Sequence, residues 1–229
     1  MEAQIKRSLA PYIEHTLLKP EAKESDIVRI CQEANHYQFV GVCVNSYWLP
    51  TLQKYLNNTI LRISVIGFPL GASLTLAKVK EASLAVEAGA QEIDMVLNIG
   101  AFKSGYYKEA QEDIIAVKKM IGNVPLKVIV ETSLLNPDEK KEVTQLVLDS
   151  GADFIKTSTG FSGGGASEED ILLFKNIVGS KPLKIKASGG IRSADQAWRL
   201  IKAGAHRLGT SQGCYLMQTD PPVQSNISY

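Results

Sequence analysis

Short apolar runs rich in β-branched residues recur along the chain at Tyr12–Leu17, Phe39–Asn45, Leu61–Gly67, Glu92–Asn98, Leu126–Thr132, Asp153–Thr157, Leu183–Ser188 and His206–Ser211. Between them lie stretches with helical periodicity, such as Leu76–Ala88 and Glu139–Asp149. Eight alternating strand–helix units in 229 residues predict a single α/β domain, a (β/α)8 TIM barrel. An open doubly wound sheet is the runner-up. The barrel is expected over residues 1–213, with 214–229 forming a helix end and then a mobile tail. The tail, TDPPVQSNISY (Thr219–Tyr229), is too polar and proline-rich to bury itself.

An internal repeat sharpens the fold. EAGAQEID (Glu87–Asp94), DSGADFIK (Asp149–Lys156) and KAGAHRLG (Lys202–Gly209) each show a helix stopping at a Gly-Ala pair before a strand. The fifth residues after Gly89, Gly151 and Gly204 are Asp94, Lys156 and Gly209. They fall on the fourth, sixth and eighth strands, and alternate strands share a layer inside such a barrel. Side chains alternate faces, so Glu92, Phe154 and Arg207 are expected one layer deeper. Glu92 and Arg207 are then expected to form a buried ion pair, since either charge alone would be very costly.

Composition narrows the function classes. With 45% apolar residues, 21% charged residues and a net charge of +1, no basic field points to nucleic acid and no acidic tail to a basic partner. No apolar run reaches membrane-spanning length, and MEAQIKRSLA lacks the apolar centre of a signal peptide. A cytoplasmic protein is expected. Cys31, Cys43 and Cys214 fit neither a disulfide framework nor a zinc spacing, and His15, His36 and His206 read as packing or surface histidines. No metal and no cofactor is expected.

Lys156 carries the chemistry. It ends a short apolar run in DFIKTSTGFSGGG (Asp153–Gly165), where a buried strand opens into a loop of small residues. Lys186, in LKIKASGGIRS (Leu183–Ser193), holds the equivalent place one strand later. Two like charges about 4 Å apart repel by about 4 kcal/mol at an effective dielectric near 20. That is enough to bring a lysine from about 10.4 towards 7 and make it a nucleophile, without deep burial. The alternative is that Asp94 pairs with both lysines and keeps them charged.

Anion binding is expected from ASGGIRS (Ala187–Ser193) and LGTSQG (Leu208–Gly213), the loops after strands seven and eight, with TSTG (Thr157–Gly160) completing the ring. SGGG (Ser162–Gly165) reads only as a flexible connection. The next helix opens at Ser167 with Glu168, Glu169 and Asp170, whose carboxylates repel an anion.

The ordered motifs EHTLLKP (Glu14–Pro20), GVCVN (Gly41–Asn45), VIGFPLGA (Val65–Ala72), EIDMVLNIGA (Glu92–Ala101), KVIVETSLL (Lys127–Leu135), FIKTSTGF (Phe154–Phe161), KASGGIR (Lys186–Arg192) and LGTS (Leu208–Ser211) resemble those of the deoxyribose-phosphate aldolases, over about Tyr12 to Gly213. The resemblance implies a class I aldolase, a lyase of deoxyribose catabolism. Such an enzyme interconverts 2-deoxy-D-ribose 5-phosphate with acetaldehyde and D-glyceraldehyde 3-phosphate. It matches Lys156 to the Schiff-base lysine, Lys186 to the lysine that perturbs it, and Asp94 to the carboxylate that moves protons through water. Thr16 and Thr159 match groups near the sugar hydroxyls, and Cys43 a thiol on the small-aldehyde side. Gly160, Gly189, Gly190 and Ser211 match phosphate contacts. Some members end in a tyrosine that aids proton transfer, and Tyr229 is the last residue here. A homodimer is the default assembly.

Three positions depart from the family pattern, and none is expected to touch the lysine pair. Glu14 stands where aspartate is usual, Gln212 replaces a small residue beside Ser211, and Ser46 stands where proline is common. Two other functions remain open at this level. One is a different phosphosugar lyase or isomerase on the same barrel; the other is a phosphosugar-binding protein without catalysis.

Overall fold

A computed structural model describes residues 8–219. Its strands are β1 Ile13–Leu17, β2 Gly41–Asn45, β3 Leu61–Ile66, β4 Glu92–Val96, β5 Leu126–Ile129, β6 Phe154–Lys156, β7 Lys184–Ser188 and β8 Arg207–Thr210. All pair in parallel, in chain order, and β8 closes on β1 to complete the barrel. The helices are α1 Glu24–Tyr37, α2 Leu49–Tyr55, α3 Thr75–Glu87, α4 Ile99–Lys103, α5 Tyr107–Ile121, α6 Pro137–Asp149, α7 Glu168–Val178, α8 Ala194–Ala203 and α9 Gly213–Thr219. Each observed strand lies inside its predicted run and is shorter at one or both ends, because the apolar pattern continues into loops that stay buried.

Helix ends follow the sequence chemistry. Asn136 accepts hydrogen bonds from the Asp138 and Glu139 amides while Glu139 reaches back to the Asn136 amide, and Pro137 sits in the first turn of α6. Ser167 and Ser193 cap α7 and α8 through their hydroxyls. Gly89, Gly151 and Gly204 all have positive φ, as the repeat requires.

Side-chain alternation divides the core. Outward residues of the strands, among them Val42, Val44, Ile93, Met95, Val128, Ile155, Ile185 and Leu208, pack against the helices in one continuous apolar layer. The barrel interior is split. Leu18, Cys43, Ile63 and Val65 form a separate apolar cluster on the side of β2 and β3. The other side, from β4 round to β1, is filled by charged side chains.

The expected ion pair between Glu92 and Arg207 does not form. Glu92 instead meets Lys127 Nζ at 2.5 Å, and Arg207 lies 3.8 Å from Glu14. Register explains the difference. Gly209, two residues beyond Arg207, is aligned with Glu14 on the neighbouring strand, and Lys127 is aligned with Asp94, two residues beyond Glu92. Each charge finds a partner on an adjacent strand and does not reach across the barrel. The Phe154 ring lies between them, with Lys127 Nζ and the Arg207 guanidinium 5.6 and 6.0 Å from its centroid.

SGGG is more than a flexible connection. A Cβ on Gly164 would come within 2.3 Å of Ser133 Cβ, and one on Gly165 within 2.5 Å of the Gly189 carbonyl. The Ala166 amide bonds that carbonyl at 3.0 Å. The glycines let the loop after β6 lie directly on the loops after β5 and β7.

Candidate active site

Lys156 ends β6 and Lys186 lies beside it on β7, in direct register. Both Nζ atoms donate to one oxygen, Asp94 Oδ2, each at 2.6 Å. Asp94 and Lys156 thus meet, as the repeat spacing predicts. Gly209, the third member of that set, leaves room for the lysine: a Cβ there would sit 3.1 Å from Lys186 Cε.

Lys127 on β5 completes the cluster. It donates to Asp94 Oδ1 at 2.9 Å, pairs with Glu92, and lies 3.6 Å from Glu14. Glu14 in turn makes a short bond to Lys186. The expectation that Glu14 stays clear of the lysine pair is therefore wrong. Its longer side chain reaches in from β1 and becomes the second carboxylate of Lys186.

The carboxylates are shared unequally. Lys186 contacts Asp94 and Glu14; Lys127 contacts Asp94, Glu92 and Glu14; Lys156 contacts Asp94 alone, through an oxygen it shares with Lys186. Burial lowers the pKa of any ammonium. For Lys127 and Lys186 the charges of Asp94 and Glu14 more than offset burial, and both are held above the ordinary lysine value. For Lys156 burial wins over Asp94, the Lys186 charge adds to it, and the amine falls below that value. Burial works against Asp94 ionising, yet the charges of Lys127, Lys156 and Lys186 hold its carboxyl well below the usual range. Asp94 does pair with both lysines, as the alternative reading supposed, but only Lys186 is held above the ordinary lysine value. Deep burial, which the charge argument treated as unnecessary, is the leading cause.

Lys156 opens onto a cavity of about 750 Å³. Thr16, Thr159, Gly160, Gly189, Gly190 and Ser211 all line it, so the side chains and glycines named from sequence share one cavity. Asp94, Lys186 and Cys43 are fully buried, as part of the barrel interior that Lys156 emerges from. Burial pushes the Cys43 thiol up to about 11, so it behaves as a small apolar filler at neutral pH. Gln212 lines the cavity next to Ser211. Tyr229 lies outside the described residues.

Several residues at the site escaped the sequence reading. Lys127 keeps the same parity as Ile129 along β5, which could have placed it inward, and Glu131 lies just past that strand. Lys19 and Arg192 add cations to the cavity rim. His15, Glu33 and Cys214 bring ligand-type atoms within 4.8 Å of one another. Glu33 already bonds His15 Nε2 at 2.6 Å, and the Arg29 guanidinium holds its other oxygen at 2.9 Å, so a cation occupies the side a metal would need.

The DeoC/LacD family aldolase pattern matches residues 10–216. The deoxyribose-phosphate aldolase of Mycoplasmopsis pulmonis is 51% identical, over 92% of this chain and 96% of its own. That of Caldicellulosiruptor saccharolyticus is 47% identical, over 94% and 99%. The deoxyribose phosphate aldolase of Aeropyrum pernix, described as a tetramer, superposes with a TM-score of 0.84 at 30% identity, covering 92% of this chain and 89% of that one. With matches of this extent, the chain belongs to the DeoC/LacD family of aldolases.

Proposed function

We propose that this chain is a class I deoxyribose-phosphate aldolase in which Lys156 is the nucleophile. In the cleavage direction the neutral Lys156 amine attacks the C1 aldehyde of open-chain 2-deoxy-D-ribose 5-phosphate. Uptake of one proton and loss of water give a protonated imine, and the proton is returned when the imine is finally hydrolysed. The imine cation accepts the electron pair of the C2–C3 bond as it breaks, which avoids a free carbanion. Asp94, acting through water, takes the proton of the C3 hydroxyl, and D-glyceraldehyde 3-phosphate leaves. Protonation of the enamine at C2 and hydrolysis of the imine release acetaldehyde and restore the amine. Every step runs on side chains and water.

The observation that carries this reading is the unequal sharing of carboxylates. Lys156 is the cavity-lining lysine left with a single, shared counter-ion, and its amine is held low while its buried neighbours are held high. The phosphate of the substrate is assigned to the far wall, where Gly160, Gly189, Gly190 and Ser211 offer amides and a hydroxyl and Lys19 and Arg192 offer charge. Thr16 and Thr159 face the sugar hydroxyls. Tyr229 is kept as the candidate proton carrier to C2. A homodimer acting in the cytoplasm on small phosphosugars and aldehydes completes the proposal. No described helix is long and apolar enough to cross a membrane.

Borohydride reduction in the presence of acetaldehyde, followed by peptide mass mapping, tests it. A stable adduct is expected on Lys156 and not after Lys156→Ala. Tight binding of the phosphosugar with no trapped adduct at any lysine would reject the mechanism.

A further inference from the structure

Glu131 has φ 52° and ψ 67°, in the left-handed region. A residue with a Cβ is strained there, and such strain persists only where the surroundings over-determine it. The side chain supplies the reason. Glu131 is 1% exposed, and its carboxylate accepts the Thr159 amide at 3.2 and 3.3 Å, the Thr159 hydroxyl in a short bond, and the Ser162 hydroxyl at 3.1 Å. The next amide, Thr132, bonds the Thr157 carbonyl at 2.9 Å. One strained residue at the end of β5 thus grips both ends of the turn that follows β6.

We propose that Glu131 is a positioning residue that sets the cavity's selectivity for the phosphorylated sugar by templating the Thr157–Ser162 turn. This rests on the aldolase reading above. Thr159, Gly160 and Phe161 of that turn line the cavity, Gly160 at the place assigned to phosphate and Thr159 beside the sugar hydroxyls. Glu131 fixes the chemistry of Thr159 as well as its place. The Thr159 hydroxyl proton is committed to Glu131, and one lone pair of that oxygen accepts the Phe161 amide at 3.0 Å. One lone pair remains, so Thr159 meets the ligand only as an acceptor. An acceptor suits a sugar hydroxyl and repels a phosphate oxygen, which directs the phosphate to the Gly160 backbone and the facing glycines. The negative charge of Glu131 is taken up by the turn's own donors, so a carboxylate beside an anion site does little harm.

The test separates the grip from the strain. Glu131→Gly removes the carboxylate at a position whose φ glycine adopts freely, so the grip is lost without backbone strain, and a cooperative melt checks that the variant is folded. Glu131→Gln keeps the volume but must place an amide N–H against a donor. Steady-state kinetics on 2-deoxyribose 5-phosphate and on free 2-deoxyribose, with acetaldehyde trapping, are measured for wild type and both variants.

In Glu131→Gly the KM for the phosphorylated sugar is expected to rise about tenfold or more, the equivalent of one lost charge-assisted hydrogen bond. The trapping rate at Lys156 should change far less, kcat/KM on free deoxyribose should fall through the Thr159 contact both sugars share but by less than on the phosphorylated sugar, and Glu131→Gln should fall between. Equal losses on both sugars, or an unchanged KM, would overturn the proposal. A wild type that cleaves neither sugar would sink the aldolase reading itself, and an active wild type whose variants keep its full preference for the phosphorylated sugar sinks only the role of Glu131.

Discussion

Replacing Lys186 by methionine removes a charge and keeps most of the volume. Lys156 and Lys186 both bond Asp94 Oδ2 at 2.6 Å, so their nitrogens are no farther apart than twice that distance. At about 5 Å and an effective dielectric near 20, the repulsion removed is about 3 kcal/mol. That equals a rise of about 2 in the Lys156 pKa. Asp94 also loses a competing cation, which pushes in the same direction. A lysine pKa that rises leaves less neutral amine at neutral pH, so imine formation should slow by about a hundredfold there. It should recover as the pH is raised by about 2, to a plateau within about tenfold of wild type.

The same substitution strips Glu14 of its bonded lysine but leaves it Lys127 at 3.6 Å and Arg207 at 3.8 Å. The assay is the rate of acetaldehyde trapping at Lys156 as a function of pH. A profile with an unmoved midpoint refutes the reasoning. If its plateau is also intact, burial alone tunes the amine; if the plateau is lost, Lys186 delivers a proton and does not set the pKa.

Two further perturbations probe the surroundings. Gly209→Ala places a Cβ 3.1 Å from Lys186 Cε and 3.0 Å from Ser188 Cβ, so Lys186 must shift. Turnover should fall by about ten- to a hundredfold with a smaller change in melting temperature, and unchanged turnover would show that the lysine's position is not critical. Asp113→Asn breaks a second buried pair, Lys78 Nζ to Asp113 Oδ2 at 2.5 Å, and should cost about 3–5 kcal/mol in denaturant unfolding. Burial already holds folded Lys78 below its ordinary value of 10.5. The unfolded chain therefore binds the extra proton, and the variant's deficit should shrink as pH rises towards that value. A deficit that ignores pH would mean the lost energy is packing.

The barrel was legible because its signal is local and repeated. Apolar runs alternate with helical periods, and the Gly-Ala stops put Asp94 and Lys156 at matching distances from their helices. Partner choice was not legible, because it depends on register between strands far apart in sequence. Glu92 and Arg207 were rightly sent inward by parity, but which charge each meets follows from Lys127 aligning with Asp94 and Gly209 with Glu14. Lys127 sits in LKVIVET, where its alternation with Ile129 was the available signal. Glu131 had a weaker one, since nothing in its type announces a left-handed backbone. The packing role of Gly164 and Gly165 was hidden for a related reason: a glycine run looks the same whether it is loose or pressed against another loop.

The divided interior explains how one lysine among several is held below the ordinary lysine value. Charges buried without partners cost several kcal/mol each, so an ionic cluster inside a barrel survives only if its charges nearly balance. Here Glu14, Glu92 and Asp94 face Lys127, Lys156, Lys186 and Arg207, one cation too many. The apolar half, with Cys43, Ile63 and Val65, keeps water from relieving that excess. Burial first, and the Lys186 charge with it, lower the pKa of Lys156, the amine with the fewest carboxylates. Desolvation by the apolar half sets how strongly a lysine is driven to neutrality, and the placement of Glu14 and Glu92 decides which lysine it is. The cavity opens at that one.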